Sequence, residues 1–261
     1  MARFCPLFSS SSGNCIYIGS GDTHILIDAG VSARRITDAL KGINLLPEAI
    51  SAVFVTHQHN DHIAGLRNFC LKRGIPIYMS STTAAAIEES DYDLSGLNIN
   101  VIEDKVTVGN ISVTRFCTSH DCGGSSGYRI DVGGDRCFAV CTDTGVITDD
   151  IRQSLLGCEL VLIESNHDVN MLAKGPYPAS LKRRILSDQG HLSNGCCAKE
   201  LPKLVLGGTS RIILGHLSAH NNTPEAALKA ANAELIGHGF TEGEDYIIYV
   251  APKENGKLFS L

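Results

Sequence analysis

The sequence predicts an α/β fold, and three observations carry the prediction. Short runs rich in β-branched and aromatic residues alternate with helical patterns from one end of the chain to the other. No low-complexity segment, long linker or short-period repeat interrupts that alternation over the 261 residues. Strand after strand ends in a histidine or a carboxylate, and in layered α/β folds functional groups gather at the carboxyl ends of strands. One domain spanning 1–261 is expected.

In chain order, "THILIDAG", "ISAVFVTH", "IPIYMS", "NISVTRFCTSH", "SGYRIDV", "RCFAVCTD", "ELVLIES" and "RIILGH" read as strands. Between and after them, "SARRITDALKG", "DHIAGLRNFCLKRG", "STTAAAIEES", "DDIRQSLLG", "PASLKRRILSDQG", "SNGCCAKELPKL" and "TPEAALKAANAELIGHG" read as helices. Several open on Ser, Thr or Asp and close on Gly, as helix caps do.

A net charge of −6 argues against a generic polyanion binder, though a local basic patch is compatible with it. The opening "MARFCPLFSSSSGNC" has no long apolar core, so neither a signal peptide nor a membrane span is expected. The ten cysteines then belong in a reducing cytoplasm, mostly as buried thiols. They form no CxxC pair, and the adjacent Cys196 and Cys197 do not suit a zinc ribbon.

The densest chemistry lies in "VFVTHQHNDHIAGL", where an apolar run stops and His57, His59, Asp61 and His62 follow. Residues two apart on an extended segment point the same way, so His57 and His59 suit one cation. Asp61 and His62, where the chain turns into a helix, face a second position. Two close cations, roughly 3.5–4 Å apart, need a shared anion, and Asp143 in "FAVCTD" suits that bridge. His120 completes one metal and His216 the other, with open positions for water or hydroxide, as a catalytic site requires. Such cations lower the pKa of water to about 7 and clamp the attacking and leaving oxygens of a phosphodiester.

"THQHNDH" fits H-x-H-x-D-H, and "LIDAG", "TSHD", "TDTG" and "LGHLS" follow in order at Asp28, His120, Asp143 and His216. This set resembles the metallo-β-lactamase fold. "SSSSGNC", "ESNHD", "GPYPASLKRRI", "GHLSN" and "HLSAHNNTP" look like its WalJ (YycJ-like) branch. The resemblance implies a four-layer αββα sandwich with a two-metal site and a nuclease-like phosphodiesterase. The expected substrate is DNA, cut 5′ to 3′, with Asp61 orienting the attacking hydroxide. Zinc or manganese is expected, with iron permitted by the ligands. Gln58, Ser10 and His220 depart from the common pattern at positions that hold no metal.

The resemblance also assigns roles beside the ligands. Asp28 braces the histidine loop without touching metal. His191 in "GHLSN" assists the leaving group, and His167 in "ESNHD" takes part in the site without ligation. Lys182, Arg183 and Arg184 form a basic run just before His191, suited to phosphate contact or to a solvated helix face. His24 and His238 are expected at the surface. Two rival functions remain on sequence grounds. One is a small-molecule hydrolase for a cyclic phosphodiester or a thioester, which would lack a basic track to the metals. The other is a non-enzymatic metal module, which would lack a water-bearing position.

Overall fold

The structure, a computed structural model, describes residues 1–134 and 136–261. The strands are β1 (Ala2–Ser10), β2 (Gly13–Ser20), β3 (Thr23–Ile27), β4 (Ala52–Phe54), β5 (Ile77–Met79), β6 (Ile99–Val101) and β7 (Lys105–Val108). They continue as β8 (Ile111–Cys117), β9 (Ser126–Asp131), β10 (Cys137–Cys141), β11 (Leu160–Glu164), β12 (Arg211–Gly215), β13 (Ile247–Val250) and β14 (Phe259–Ser260). Two compact units emerge. The first holds residues 1–115, 122–136 and 251–261, and the second holds 116–121 and 137–250.

In the first unit the strand order is β14-β1-β2-β3-β4-β5-β6. The β14–β1–β2–β3 edge is antiparallel and β3–β4–β5–β6 is parallel. Strand β3 is buried at every position, as a strand covered on both faces must be. Leu26, Val53 and Ile77 share its core with Ile36 and Leu40 of the helix Ala33–Gly42. The predicted helix over 61–74 is broken into Asn60–Ile63, Leu66–Cys70 and a 3₁₀ turn at Leu71–Arg73. Gly65 sits at the break, where a Cβ would lie 1.9 Å from the Val31 carbonyl oxygen.

In the second unit β10, β11, β12 and β13 are neighbours in that order and all parallel. Strands β10 and β11 are buried throughout, which explains their unbroken apolar runs. Val161, Ile163, Ile212 and Leu214 pack with Leu201 and Leu235 from the helices Asn194–Leu206 and Pro224–Gly237. Ser32, Ser193 and Thr223 open their helices as expected, each accepting a backbone N–H of the first turn; Ser80 and Thr148 do the same one residue ahead of the expected openings at Ser81 and Asp149. Asp168 does the same for a helix over Val169–Lys174, which the sequence pattern did not announce.

His24 differs from its expected surface position. It is buried, and its Nδ1 lies 2.9 Å from the Tyr17 hydroxyl. Its strand β3 is covered on both sides, so the polar ring is satisfied internally instead of by water. His238 is exposed as expected. Of the cysteines, Cys5, Cys15, Cys70, Cys137, Cys141, Cys158 and Cys197 are buried.

Candidate metal centre

Three residues at strand ends adopt a left-handed backbone that costs a non-glycine residue about 1–3 kcal/mol. They are Asp28 just after β3 (φ 63°), Asp143 after β10 (φ 56°) and His216 just after β12 (φ 55°). The same turn thus recurs where a carboxylate or an imidazole leaves the sheet. Strain of this kind persists where surrounding contacts over-determine it.

In the first unit Asp28 supplies those contacts. Its Oδ1 accepts the Thr56 N–H at 2.8 Å, and its Oδ2 lies 2.7 Å from His62 Nδ1. The Thr56 hydroxyl is 3.0 Å from His57 Nδ1. Both rings are therefore fixed through their Nδ1 sides, which leaves Nε2 as the outward donor. His57 Nε2 is 3.0 Å from His59 Nδ1, and the His57 and His62 ring centroids are 4.1 Å apart. Asp61 stands in the first turn of the helix Asn60–Ile63, with a side chain 27% exposed and 3.5 Å from His62 Nε2.

Two residues here were not singled out in the sequence. The Asn14 amide lies 3.1 Å from His62 Nε2 and 3.5 Å from Asp61 Oδ2, so the β1–β2 turn reaches the histidine loop. Gly30, the glycine of "LIDAG", donates its N–H to Asn14 O at 2.8 Å, and a Cβ on it would fall 1.6 Å from the Asp61 carbonyl oxygen. That overlap is with backbone, which no rotamer relieves. Gly30→Ala should cost roughly 1–3 kcal/mol and shift Asp61 and His62. A melting temperature lower by several degrees checks it; an unchanged one would mean that the loop yields freely.

In the second unit Glu164 is the centre. It is fully buried at the end of β11, and its Oε1 accepts from His191 Nδ1 at 2.8 Å and from His216 Nδ1 at 2.7 Å. Its Oε2 accepts the Thr144 and Leu192 N–H groups. Burial raises the carboxyl pKa, but the two imidazoles outweigh burial and bring it down to about 2. Burial likewise lowers the His191 pKa, and the charges of Glu164 and Asp143 overcome that and raise it. Asp143 Oδ1 stands 3.6 Å from His216 Nδ1, 3.7 Å from His191 Nδ1 and 3.8 Å from His120 Nε2. His120 is held by the Gly190 carbonyl, 3.0 Å from its Nδ1.

The basic run divides. Arg184 forms a two-pronged ion pair with Asp121, whose Oδ1 is 3.6 Å from His120 Nε2. Lys182 Nζ donates to the Ala173 carbonyl at 2.7 Å, and Arg183 is exposed. His167 is buried, neither ring nitrogen has a hydrogen-bond partner among the described residues, and burial lowers its pKa to about 4.

The donor chemistry fits a divalent cation. Asp143, Glu164, His191 and His216 offer ligand atoms all within 4.8 Å of one another. In the first unit His57, His59, Asp61 and His62 stand on one loop, with the Nδ1 sides of His57 and His62 tethered. Imidazole with carboxylate suits zinc, manganese and iron.

Comparison with known proteins agrees. Residues 23–217 match the family described as beta-lactamase superfamily domain. The chain is 37% identical over 251 residues to the exodeoxyribonuclease WalJ of Streptococcus pneumoniae, covering 95% of this chain and 93% of that one. It is 36% identical over 249 residues to the exodeoxyribonuclease YycJ of Bacillus anthracis, covering 95% and 94%. Among solved structures, the metallo-beta-lactamase fold protein YhfI of Bacillus subtilis superposes with a TM-score of 0.71 at 17% identity, covering 99% of this chain and 98% of that one.

Proposed function

Because the chain belongs to the metallo-β-lactamase-fold hydrolases, in the branch of the WalJ and YycJ exodeoxyribonucleases, we propose that it is a metal-dependent phosphodiesterase that removes nucleotides from DNA in the 5′-to-3′ direction. The observation that carries the reading is the likeness to two exodeoxyribonucleases along nearly the whole chain. Residues 1–261 are read as one functional domain, since the family match runs through residues of both compact units.

His57, His59, Asp61, His62, His120, Asp143 and His216 are the residues that would hold two divalent ions, zinc or manganese first. When bound, such ions supply Lewis acidity and acidify a water. The chain's own residues do the rest. Asp28 and Thr56 hold the His57 and His62 rings with Nε2 outward. Asp61 orients the attacking water. The water oxygen bonds to phosphorus as the P–O bond to the leaving nucleotide breaks, the leaving oxygen takes a proton from His191 Nε2, and the proton lost by the water goes to solvent. Glu164 holds the same ring at Nδ1 and favours its protonated form. His167 is placed beside this group as a neutral, non-ligating ring.

The purified protein, stripped and reloaded with single metals, should be assayed on single- and double-stranded DNA, RNA and small phosphodiesters. Release of mononucleotides from DNA 5′ ends is expected. Cleavage of a cyclic phosphodiester or a thioester, with nucleic acid untouched, would replace this reading by the small-molecule one.

In a net-acidic protein DNA must be held by a local track, and Lys182, Arg183 and Arg184 are the residues proposed for it. Replacing all three by Gln should raise the Michaelis constant for DNA. Removing each cation that neutralises a phosphate should flatten the salt slope by about 0.7–0.9. A small chromogenic phosphodiester should be cleaved as before. Equal loss on both substrates would assign the run to the fold, because Arg184 also holds Asp121 beside His120.

A further inference from the structure

Behind Glu164, His191 and His216 lies a buried network of side-chain amides that none of the roles above uses. Asn194 and Asn222 form a reciprocal pair: Asn194 Nδ2 donates to Asn222 Oδ1 and Asn222 Nδ2 to Asn194 Oδ1, both at 2.8 Å. The Ser165 hydroxyl donates to Asn194 Oδ1 at 2.7 Å. The Asn222 amide also lies 2.8 Å from Ser165 O and 3.0 Å from Asn166 O. Asn166 Nδ2 in turn donates to the His216 carbonyl at 3.0 Å. Ser165, Asn166, Asn194 and Asn222 are all buried.

The network joins three segments, each carrying one member of the Glu164 cluster. Ser165 and Asn166 follow Glu164 directly. Ser193 and Asn194 follow His191 and start the helix Asn194–Leu206. His216 opens the segment that ends at Asn222. Backbone bonds run along the same seams: Asn166 N to Leu192 O at 2.8 Å, Asn194 N to His167 O at 2.9 Å and Ser218 N to Asn166 O at 2.8 Å. One Glu164 oxygen meets two Nδ1–H groups at 2.7 and 2.8 Å, so the segments must hold their spacing to tenths of an ångström. Apolar residues would fill this volume without needing partners, whereas a satisfied polar network fixes a single arrangement.

We propose that Asn222, paired with Asn194, is a positioning residue: it sets the place of His191 against Glu164 and His216 and so acts on turnover through His191. The proposal rests on the role given to His191 above. Misplacement of a reacting group by about 1 Å can cost about 10²-fold. Asn222→Ala should therefore lower kcat on a small chromogenic phosphodiester by roughly 10- to 100-fold, with KM and metal content close to wild type.

A double-mutant cycle with His191→Ala separates this from a general structural role. In the His191→Ala background, Asn222→Ala should change kcat by less than about 2-fold. An equal fold-loss in both backgrounds would overturn the proposal. Asn194→Ala removes the same pair from its other side and serves if Asn222→Ala does not fold. A second readout needs no activity. In metal-free protein labelled with ¹⁵N-histidine, the His191 Nδ1–H signal bonded to Glu164 should be lost or exchange-broadened in Asn222→Ala. The His24 ring, bonded to Tyr17, is the internal control. An unchanged His191 signal would overturn the proposal. A wild type inactive on every phosphodiester would instead refute the proposed function and leave the spectroscopic test standing.

Discussion

Asp61→Asn is expected to lower turnover by about 10³-fold or more while the protein melts close to wild type. The magnitude follows from a charge that is used twice. In the proposed mechanism Asp61 would serve as a ligand and also orient the attacking water, and loss of one preorganised electrostatic group in an active site costs about 10²–10³ in kcat. Stability should change little because the carboxylate is partly exposed. Asn has the same shape, so packing is kept. Turnover and melting temperature measured on one preparation decide the matter. Turnover near wild type would remove Asp61 from the mechanism, and a collapse of the melting temperature would make it a folding residue.

Glu164→Gln is expected to lower turnover by about 10²–10⁴-fold and also to reduce metal content, because it strikes two imidazoles at once. The carboxylate accepts four hydrogen bonds, two from imidazole Nδ1–H groups and two from backbone N–H groups. A glutamine has one acceptor oxygen. Whichever way it is turned, its NH₂ faces donors. If it faces the rings, His216 and His191 must change tautomer, and the Nε2 lone pair of His216 is lost to a proton. Losing the buried orienting carboxylate of a catalytic histidine costs about 10⁴ in kcat in the serine protease triad. An unsatisfied buried donor adds about 1–3 kcal/mol of instability, so the melting temperature should fall by several degrees. Glu164→Asp, which keeps the charge on a shorter arm, should recover part of the metal content if the carboxylate orients the rings. Kinetics, metal analysis and melting curves read all three effects. Wild-type turnover in Glu164→Gln would show that the rings hold their tautomers without it.

Much of this was legible in the residues. Parallel strands buried on both faces are written as apolar runs, which is why β10 and β11 could be read directly. The pattern of histidine or carboxylate at strand ends pointed to one kind of chemistry before any fold was known. The β1–β2 hairpin was not legible. Pro6 and the serine run argue against strands, and the structure accommodates the proline with a shift of register between Pro6 and Phe8. Glu164 was visible as a strand-end carboxylate, but its hold on rings 27 and 52 residues away is a long-range fact that no local pattern carries. The same holds for Asn14 and for the Asn194–Asn222 pair. Asparagine reads as a turn residue until its partners are seen. His24 was misplaced because a lone histidine in a strand gives no sign of a tyrosine hydroxyl seven residues earlier.

The central claim is that a defined set of side chains holds two divalent ions for phosphodiester cleavage. Anomalous scattering from crystals soaked in zinc or manganese tests it most directly. Two peaks are expected, with His57, His59, Asp61, His62, His120, Asp143 and His216 as the protein ligands and Asp143 touching both. No peak at these residues in metal-replete crystals, or a metal held elsewhere, would contradict the account.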